Sequence, residues 1–284
     1  MSYADKVFKE NLRSIIEEGT STEGQKVRPH WEDGTPAYTI KQFGISNTYD
    51  LRKEFPAITV RKTALKSCMD EILWIYQKKS NNIHDLNSHI WDQWADKDGS
   101  IGKAYGYQVG KRFLHHRSNE LPLSEVYPSV IAQSRLGEKY KIYLDQMDGA
   151  LYDLRNTPFS RRIMISLWCP EDLHEMRLQP CCWSVIFNVT DEGQDKLVLN
   201  MVLNQRSNDF ITANNWNTAQ YAILLMMVAQ SVNMIPGKLV HNITDCHVYD
   251  RHIDIAKELI NRPEHQSPKV SLNPDIHNFY DFKV

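Results

Sequence analysis

Residues 216–232 are apolar nearly all round, and a helix with no polar face has to be buried by its neighbours. Strand-like runs supply those neighbours, at 163–168, 183–189, 197–203 and 239–244. The runs at 183–189 and 197–203 are joined by a polar turn with Asp191-Glu192-Gly193, which predicts a hairpin. Pro236-Gly237 reads as the stop of the buried helix. Further helices are predicted over 3–18, with Val7, Leu12, Ile15 and Ile16 near one face, and over 63–76, with Leu65, Met69, Ile72 and Ile75. Others fall around 136–154 and over 250–261. Residues 18–34 are a polar loop holding Arg28, and residues 36–60 read as strands (37–40, 55–60) broken by turns. Residues 111–150 open on a basic run and read as an inserted surface segment. Helices and strands mix without regular alternation, which predicts one α+β domain over residues 1–284.

With 284 residues, 42% of them hydrophobic, the chain can bury a large core. The charge is 33 − 35 = −2, so no global field draws in nucleic acid or a membrane surface, and an anionic ligand must be held by local arginines. Five cysteines, without Cys-x-x-Cys spacing, predict neither a disulfide framework nor a structural zinc site. No N-terminal signal is visible, and the longest apolar run, 221–229, is too short to span a bilayer. A reducing cytoplasm is the simplest location.

Several side chains could carry chemistry. Cys181, after Pro180, is a thiol nucleophile if a cation such as Arg206 promotes its thiolate, or else a small buried apolar residue. Arg161 and Arg162 are adjacent cations suited to a phosphate, or a solvated pair. Asn217 can match a pyrimidine edge with its amide, or cap the helix it opens. Glu71, in a mostly apolar helix, could move protons near neutral pH, or be an ordinary exposed glutamate. His247 and Tyr249 can bond a ribose hydroxyl. A metal role for His247 with Cys246 and His252 has poor strand geometry, and a Cys–His protease dyad lacks its local signature.

The order of these signals resembles the thymidylate synthase family from about residue 28 to 282. It is carried by Phe55-Pro56, Glu71-Ile72-Leu73-Trp74, Ile90-Trp91-Asp92-Gln93-Trp94-Ala95 and Ala104-Tyr105-Gly106. It continues through Ser160-Arg161-Arg162, Gln179-Pro180-Cys181, Gln205-Arg206-Ser207-Asn208-Asp209, Asn217 and Asp245-Cys246-His247-Val248-Tyr249. The resemblance implies a large mixed sheet with flanking helices and conversion of dUMP and 5,10-methylenetetrahydrofolate to dTMP and dihydrofolate, with no metal. It implies that Cys181 attacks C6 of the uracil. Arg28, Arg206 and Ser207 would hold the phosphate, and Arg161 and Arg162 would reach it from the second subunit of a homodimer with shared active sites. Arg206 would also keep Cys181 ionised. Gln205 would join the substrate site and Asn217 would read the base, where related cytidylate hydroxymethylases carry aspartate. His247 and Tyr249 would take the ribose 3′-hydroxyl. Glu71 would relay protons to O4 and the departing folate nitrogen, and Tyr105 would assist loss of the C5 proton. Asp209 would bond the pterin, Trp91 would stack near the folate, and Arg61 and Lys62 would meet its glutamate tail.

The sequence departs from the family pattern at four places. Cys182 stands where many members have histidine. Arg28-Pro29-His30-Trp31-Glu32-Asp33-Gly34 replaces a glycine- and threonine-rich loop. Ala213-Asn214-Asn215-Trp216 replaces Gly-x-Pro-Phe. The sequence stops at Val284, where members continue with a tail that closes over the cofactor. An enzyme without that closure would expose its intermediate to water, which makes a dUMP hydroxymethylase the alternative. A nucleotide- or RNA-binding relative without turnover is the non-enzymatic alternative, and the net charge of −2 gives it little support.

Overall fold

The computed structural model describes residues 2–135 and 137–284. Helix α1 (Tyr3–Glu18) begins at Ser2, whose hydroxyl accepts the Asp5 amide hydrogen bond, and it buries Val7, Phe8, Leu12 and Ile15 on one stripe. Strands β1 (Thr20–Ser21) and β2 (Thr39–Asp50) follow, then helix α2 (Leu65–Tyr76). A short helix α3 (Gly106–Val109) leads to strands β3 (Phe113–Ser118), β4 (Ile131–Gln133) and β5 (Tyr140–Leu144), then to helix α4 (Gln146–Asn156). Strands β6 (Met164–Ser166), β7 (Cys182–Thr190) and β8 (Val198–Asp209) precede helix α5 (Asn214–Ser231). Strand β9 (Ile235–Tyr249) and helix α6 (Ile253–Asn261) complete the order.

Six strands form one mixed sheet in the order β1-β2-β9-β8-β7-β6. Only β8 and β9 run parallel, because α5 carries the chain back between them. This crossover explains the all-round apolar helix. It packs on β8 and β9 and against α2, so nearly every side is covered. Leu199, Met201, Leu203, Leu239 and Ile243 are among the buried residues of β8 and β9. The sheet face turned away from α5 carries a polar row across four strands. Ser46 donates to Asn242 at 2.8 Å, Asn242 to Asn204 at 3.2 Å, and Asn204 to Ser184 at 3.0 Å. A second, three-stranded sheet has the order β3-β5-β4.

The antiparallel β7–β8 hairpin and the amphipathic α1 form as the sequence predicts. Four segments differ. Residues 55–60 are largely buried yet form no strand, because the Thr59 and Val60 amides donate to Asp5 Oδ1 at 2.7 and 3.3 Å instead of to a partner strand. The helix expected around 136–154 is strand β5, with Ile142 and Leu144 buried, then α4, capped by Asp145 through the Asp148 amide at 2.9 Å. Leu136 of that stretch lies outside the described residues. Helix α5 ends at Ser231, and the chain turns at Asn233 (φ 56°), so Pro236 and Gly237 belong to β9. His247 and Tyr249 lie within β9 and not beyond a strand. Among the described residues no helix is long and apolar enough to cross a membrane.

Candidate active site

A cavity of about 640 Å³ opens where β8, β9, α2 and α5 meet the loop before β7. Cys181 sits on that loop. Its carbonyl accepts the Arg206 amide at 2.9 Å, which ties the loop to β8. The Arg206 guanidinium then clamps the same loop, with Nε on the Pro180 carbonyl at 2.9 Å and Nη2 on the Gln179 carbonyl at 2.8 Å. Nη2 also lies 3.8 Å from the Cys181 sulfur. Burial pushes the Cys181 thiol above its ordinary pKa, and the positive charges of Arg206 and Arg28 offset only part of that rise. Burial, the larger effect, thus opposes the Cys181 thiolate that Arg206 and Arg28 favour. Cys182 is more deeply buried, and its thiol is pushed up much further by the same desolvation.

Tyr105 faces Cys181 from the other side, its hydroxyl accepting the Cys181 amide at 3.1 Å. Its backbone has φ 45°, a costly conformation for a residue with a Cβ. The following residue must be glycine, because a Cβ on Gly106 would stand 2.1 Å from the Ser80 carbonyl oxygen.

Glu71 projects from α2 and is 6% exposed. Trp91 Nε1 donates to its Oε1 at 2.6 Å, and Trp216 Nε1 donates to its Oε2 at 2.6 Å. Gln220 also donates to Oε2, through a close contact. Desolvation raises the Glu71 pKa, and the three N–H donors oppose the rise without cancelling it. A carboxylic acid raised in this way can take up and release protons nearer neutrality than an exposed one.

Asn217 lies in the first turn of α5, whose N-cap is Ala213, so it is not the cap. Its Oδ1 accepts from Gln205 Nε2 at 3.0 Å, and its Nδ2 donates to Gln220 Oε1 at 3.3 Å. Asp209 Oδ1 accepts the Ile211 and Thr212 amides, each at 3.1 Å, while the residue lines the cavity. His247 Nδ1 lies 2.8 Å from Asp245 Oδ1, and Lys41 holds Asp245 Oδ2 at 2.8 Å. Burial works to raise the Asp245 pKa, but the bonds from His247 and Lys41 outweigh it and leave the carboxyl low. Tyr249 stands beside His247 with ring centroids 5.2 Å apart.

The cavity thus brings together Arg28, Glu71, Trp91, Tyr105, Cys181, Gln205, Arg206, Ser207, Asp209, Asn217, His247 and Tyr249. Four of the residues singled out in the sequence do not line it. Arg161 and Arg162 are exposed on the turn before β6. Arg61 bonds the Ile211 carbonyl, beside the Thr212 that lines the cavity, and Lys62 is exposed. Trp94, Trp216 and Gln220 line the cavity although sequence reasoning did not select them. Trp216 and Gln220 are four residues apart on one helix, a spacing that aligns side chains and could have marked them.

The thymidylate synthase family model matches residues 6–284. Thymidylate synthase of Bacillus licheniformis is 38% identical over all of this chain and 93% of its own length. Thymidylate synthase 1 of Bacillus subtilis is likewise 38% identical over the full chain. The solved structure of thermostable thymidylate synthase A from Bacillus subtilis superposes with a TM-score of 0.83 at 38% identity, covering 100% of this chain and 92% of that one. The α+β class and the family resemblance read from the sequence are both borne out.

Proposed function

Because the chain belongs to the thymidylate synthase family, we propose that this cavity reductively methylates dUMP to dTMP with 5,10-methylenetetrahydrofolate and that Cys181 is the nucleophile. The chain is a folate-dependent methyltransferase. The observation that carries the reading is the grouping of a thiol beside a cation, a base-reading amide and a buried carboxylate on one cavity.

The Cys181 thiolate adds to C6 of the uracil, and the C5–C6 electron pair moves toward C5 and O4. C5 becomes a carbon nucleophile, so one hard substitution is divided into easier steps. With the one-carbon unit bonded to C5, C5 can give up its original proton, and the C6–S bond breaks to restore the C5–C6 double bond once the added carbon has been reduced to methyl. The Tyr105 hydroxyl, fixed at the Cys181 amide, assists that proton loss. Glu71 exchanges protons with O4 through water, which its raised pKa suits. Asn217 reads the base, with Gln205 holding its amide. Arg28, Arg206 and Ser207 hold the phosphate, and His247 with Tyr249 binds the ribose 3′-hydroxyl.

When bound, the folate supplies the one-carbon unit and the hydride. The residues fit such a group: Trp91 is packed against Trp94 and Tyr105 with ring centroids 5.4 and 5.0 Å away, an aromatic wall for a flat pterin. Asp209 bonds the pterin, and Arg61 and Lys62 meet the glutamate tail from the rim.

Arg161 and Arg162 complete the phosphate site of a second subunit in a homodimer. Their exposure outside their own cavity supports donation across an interface, and the partly open sheet face offers a surface for pairing. Residues 1–284 form one domain, supported by a core that runs from Ala4 to Phe282; the stretch 111–150, expected as a surface segment, gives Tyr127, Ile142, Leu144, Met147 and Ala150 to that core. Five free cysteines fit a reducing cytoplasm.

Incubation with dUMP and 5,10-methylenetetrahydrofolate, followed by mass spectrometry of the nucleotide, tests the reading. It requires a methyl gain. A hydroxymethyl gain, or no product, contradicts it.

A further inference from the structure

A single row of hydrogen bonds runs beneath the cavity from β9 to α2. His241 Nε2 meets Gln205 Oε1 at 2.7 Å, Gln205 Nε2 meets Asn217 Oδ1 at 3.0 Å, and Asn217 Nδ2 meets Gln220 Oε1 at 3.3 Å. Gln220 Nε2 then closes on Glu71 Oε2. The direction of every bond follows from the α2 end. The Trp91 and Trp216 indoles can only donate, so they hold both Glu71 oxygens as acceptors. Gln220 Nε2 also reaches the Cys68 carbonyl, which can only accept, at 3.5 Å, so Gln220 turns its NH₂ to Glu71 and its oxygen to Asn217. Asn217 must then give an N–H to Gln220 and turn its oxygen to Gln205. Gln205 is left with its oxygen facing His241.

The far end agrees. His241 is fully buried, and desolvation pushes its pKa down to about 3, so the ring is neutral with one N–H. That proton sits on Nε2 toward Gln205, and Nδ1 accepts from Thr218 Oγ1 at 3.4 Å. The Ser207 carbonyl, which can only accept, holds Gln205 Nε2 at 3.0 Å and fixes the same orientation from this end.

We propose that Gln220 and His241 are specificity-determining residues, fixing the Asn217 amide in the one orientation that fits uracil and rejects cytosine. The inference rests on Asn217 reading the base. Uracil presents an N3–H donor beside an O4 acceptor. Cytosine presents an N3 acceptor beside an N4 donor, the same two positions reversed. An amide turned through 180° is reversed in the same way, so a free asparagine serves either base. Choice requires that the amide be unable to turn. Two bonds already fix its oxygen and one N–H, leaving one N–H and one lone pair for the ligand. In this orientation cytosine meets donor with donor and acceptor with acceptor.

The test is equilibrium binding of dUMP and of dCMP, without folate, to the full chain and to its Gln220→Met and His241→Phe variants. Wild type is expected to prefer dUMP. In each variant the dUMP-to-dCMP affinity ratio is expected to fall by at least about tenfold, since the amide gains freedom to turn. A variant that folds and weakens both nucleotides in parallel, with the ratio unchanged, overturns the proposal, because a merely structural role moves both together. The two variants act from opposite ends of the row, so either one that folds gives the answer. A wild-type protein without preference for dUMP fails at the earlier step and removes the base-reading role of Asn217 itself.

Discussion

The Arg206 guanidinium lies 3.8 Å from the Cys181 sulfur, yet the thiol remains above its ordinary pKa. Burial of the sulfur is the larger effect, and the arginine moderates it. Alkylation of Cys181 by iodoacetamide should therefore rise with pH beyond the range of a free cysteine. Replacing Arg206 by leucine removes the moderating charge, and each pKa unit gained lowers the thiolate fraction about tenfold. Alkylation at neutral pH should slow by at least about threefold in Arg206→Leu. Arg206→Lys, which keeps the charge, should slow less. Equal rates in all three proteins would show that the arginine serves only to clamp the loop.

Glu71 has a raised pKa, and the sign of its effect on stability follows. A group whose pKa is higher in the folded than in the unfolded protein stabilises at low pH, and the benefit is lost as pH rises through the folded value. Glu71→Gln should remove that dependence. The melting temperature of the variant relative to wild type should climb as pH is raised from about 4. Turnover should drop between about a hundred- and ten-thousandfold, as for loss of a general acid–base group. Parallel melting curves at every pH would contradict the assignment.

His241 has the opposite sign. Burial lowers its pKa to about 3, so the folded protein binds fewer protons than the unfolded chain below about pH 6.5. Stability is present above that pH and is lost as pH falls toward the folded value, by up to about 1.4 kcal/mol per pH unit. Urea unfolding of His241→Gln should show a shallower acid limb than wild type between about pH 6.5 and 4.5. Identical limbs would mean that this imidazole protonates freely in the folded protein.

Arg161 and Arg162 stand outside the cavity of their own chain. If they serve a partner, two inactive variants should rescue one another. Cys181→Ala mixed with an Arg161→Ala, Arg162→Ala double variant, under conditions that exchange subunits, should restore activity. Equal random mixing leaves about a quarter of the sites intact. Mixtures as inactive as their components would place both arginines in service to their own chain, or in none.

Much of the site was legible because its residues sit in short ordered motifs. Gln179-Pro180-Cys181 brings Cys181 to the cavity, the run from Gln205 to Asp209 brings Gln205, Arg206, Ser207 and Asp209, and Asp245 to Tyr249 brings His247 and Tyr249. The sequence hid what depends on distant pairing. Trp216 and Gln220 reach Glu71 from 145 and 149 residues away, and within their own helix they look like part of a core stripe. His241 looks like a polar interruption of β9 until Gln205 is brought beside it by the parallel β8–β9 pairing. Residues 55–60 have strand composition, but Asp5, at the start of the chain, takes their amides. The alternation of β5 was masked by the helix that follows directly after its Asp145 cap. That burial outweighs the arginine at Cys181 was hidden as well, because burial is a property of the whole fold.

The central claim is that Cys181 attacks C6 and so loosens the hydrogen on C5. dUMP labelled with tritium at C5 reads this directly. With 5,10-methylenetetrahydrofolate present, wild-type protein should release tritium to water in step with dTMP formation, and Cys181→Ala should release none above background. Tritium release that persists in Cys181→Ala would contradict the account.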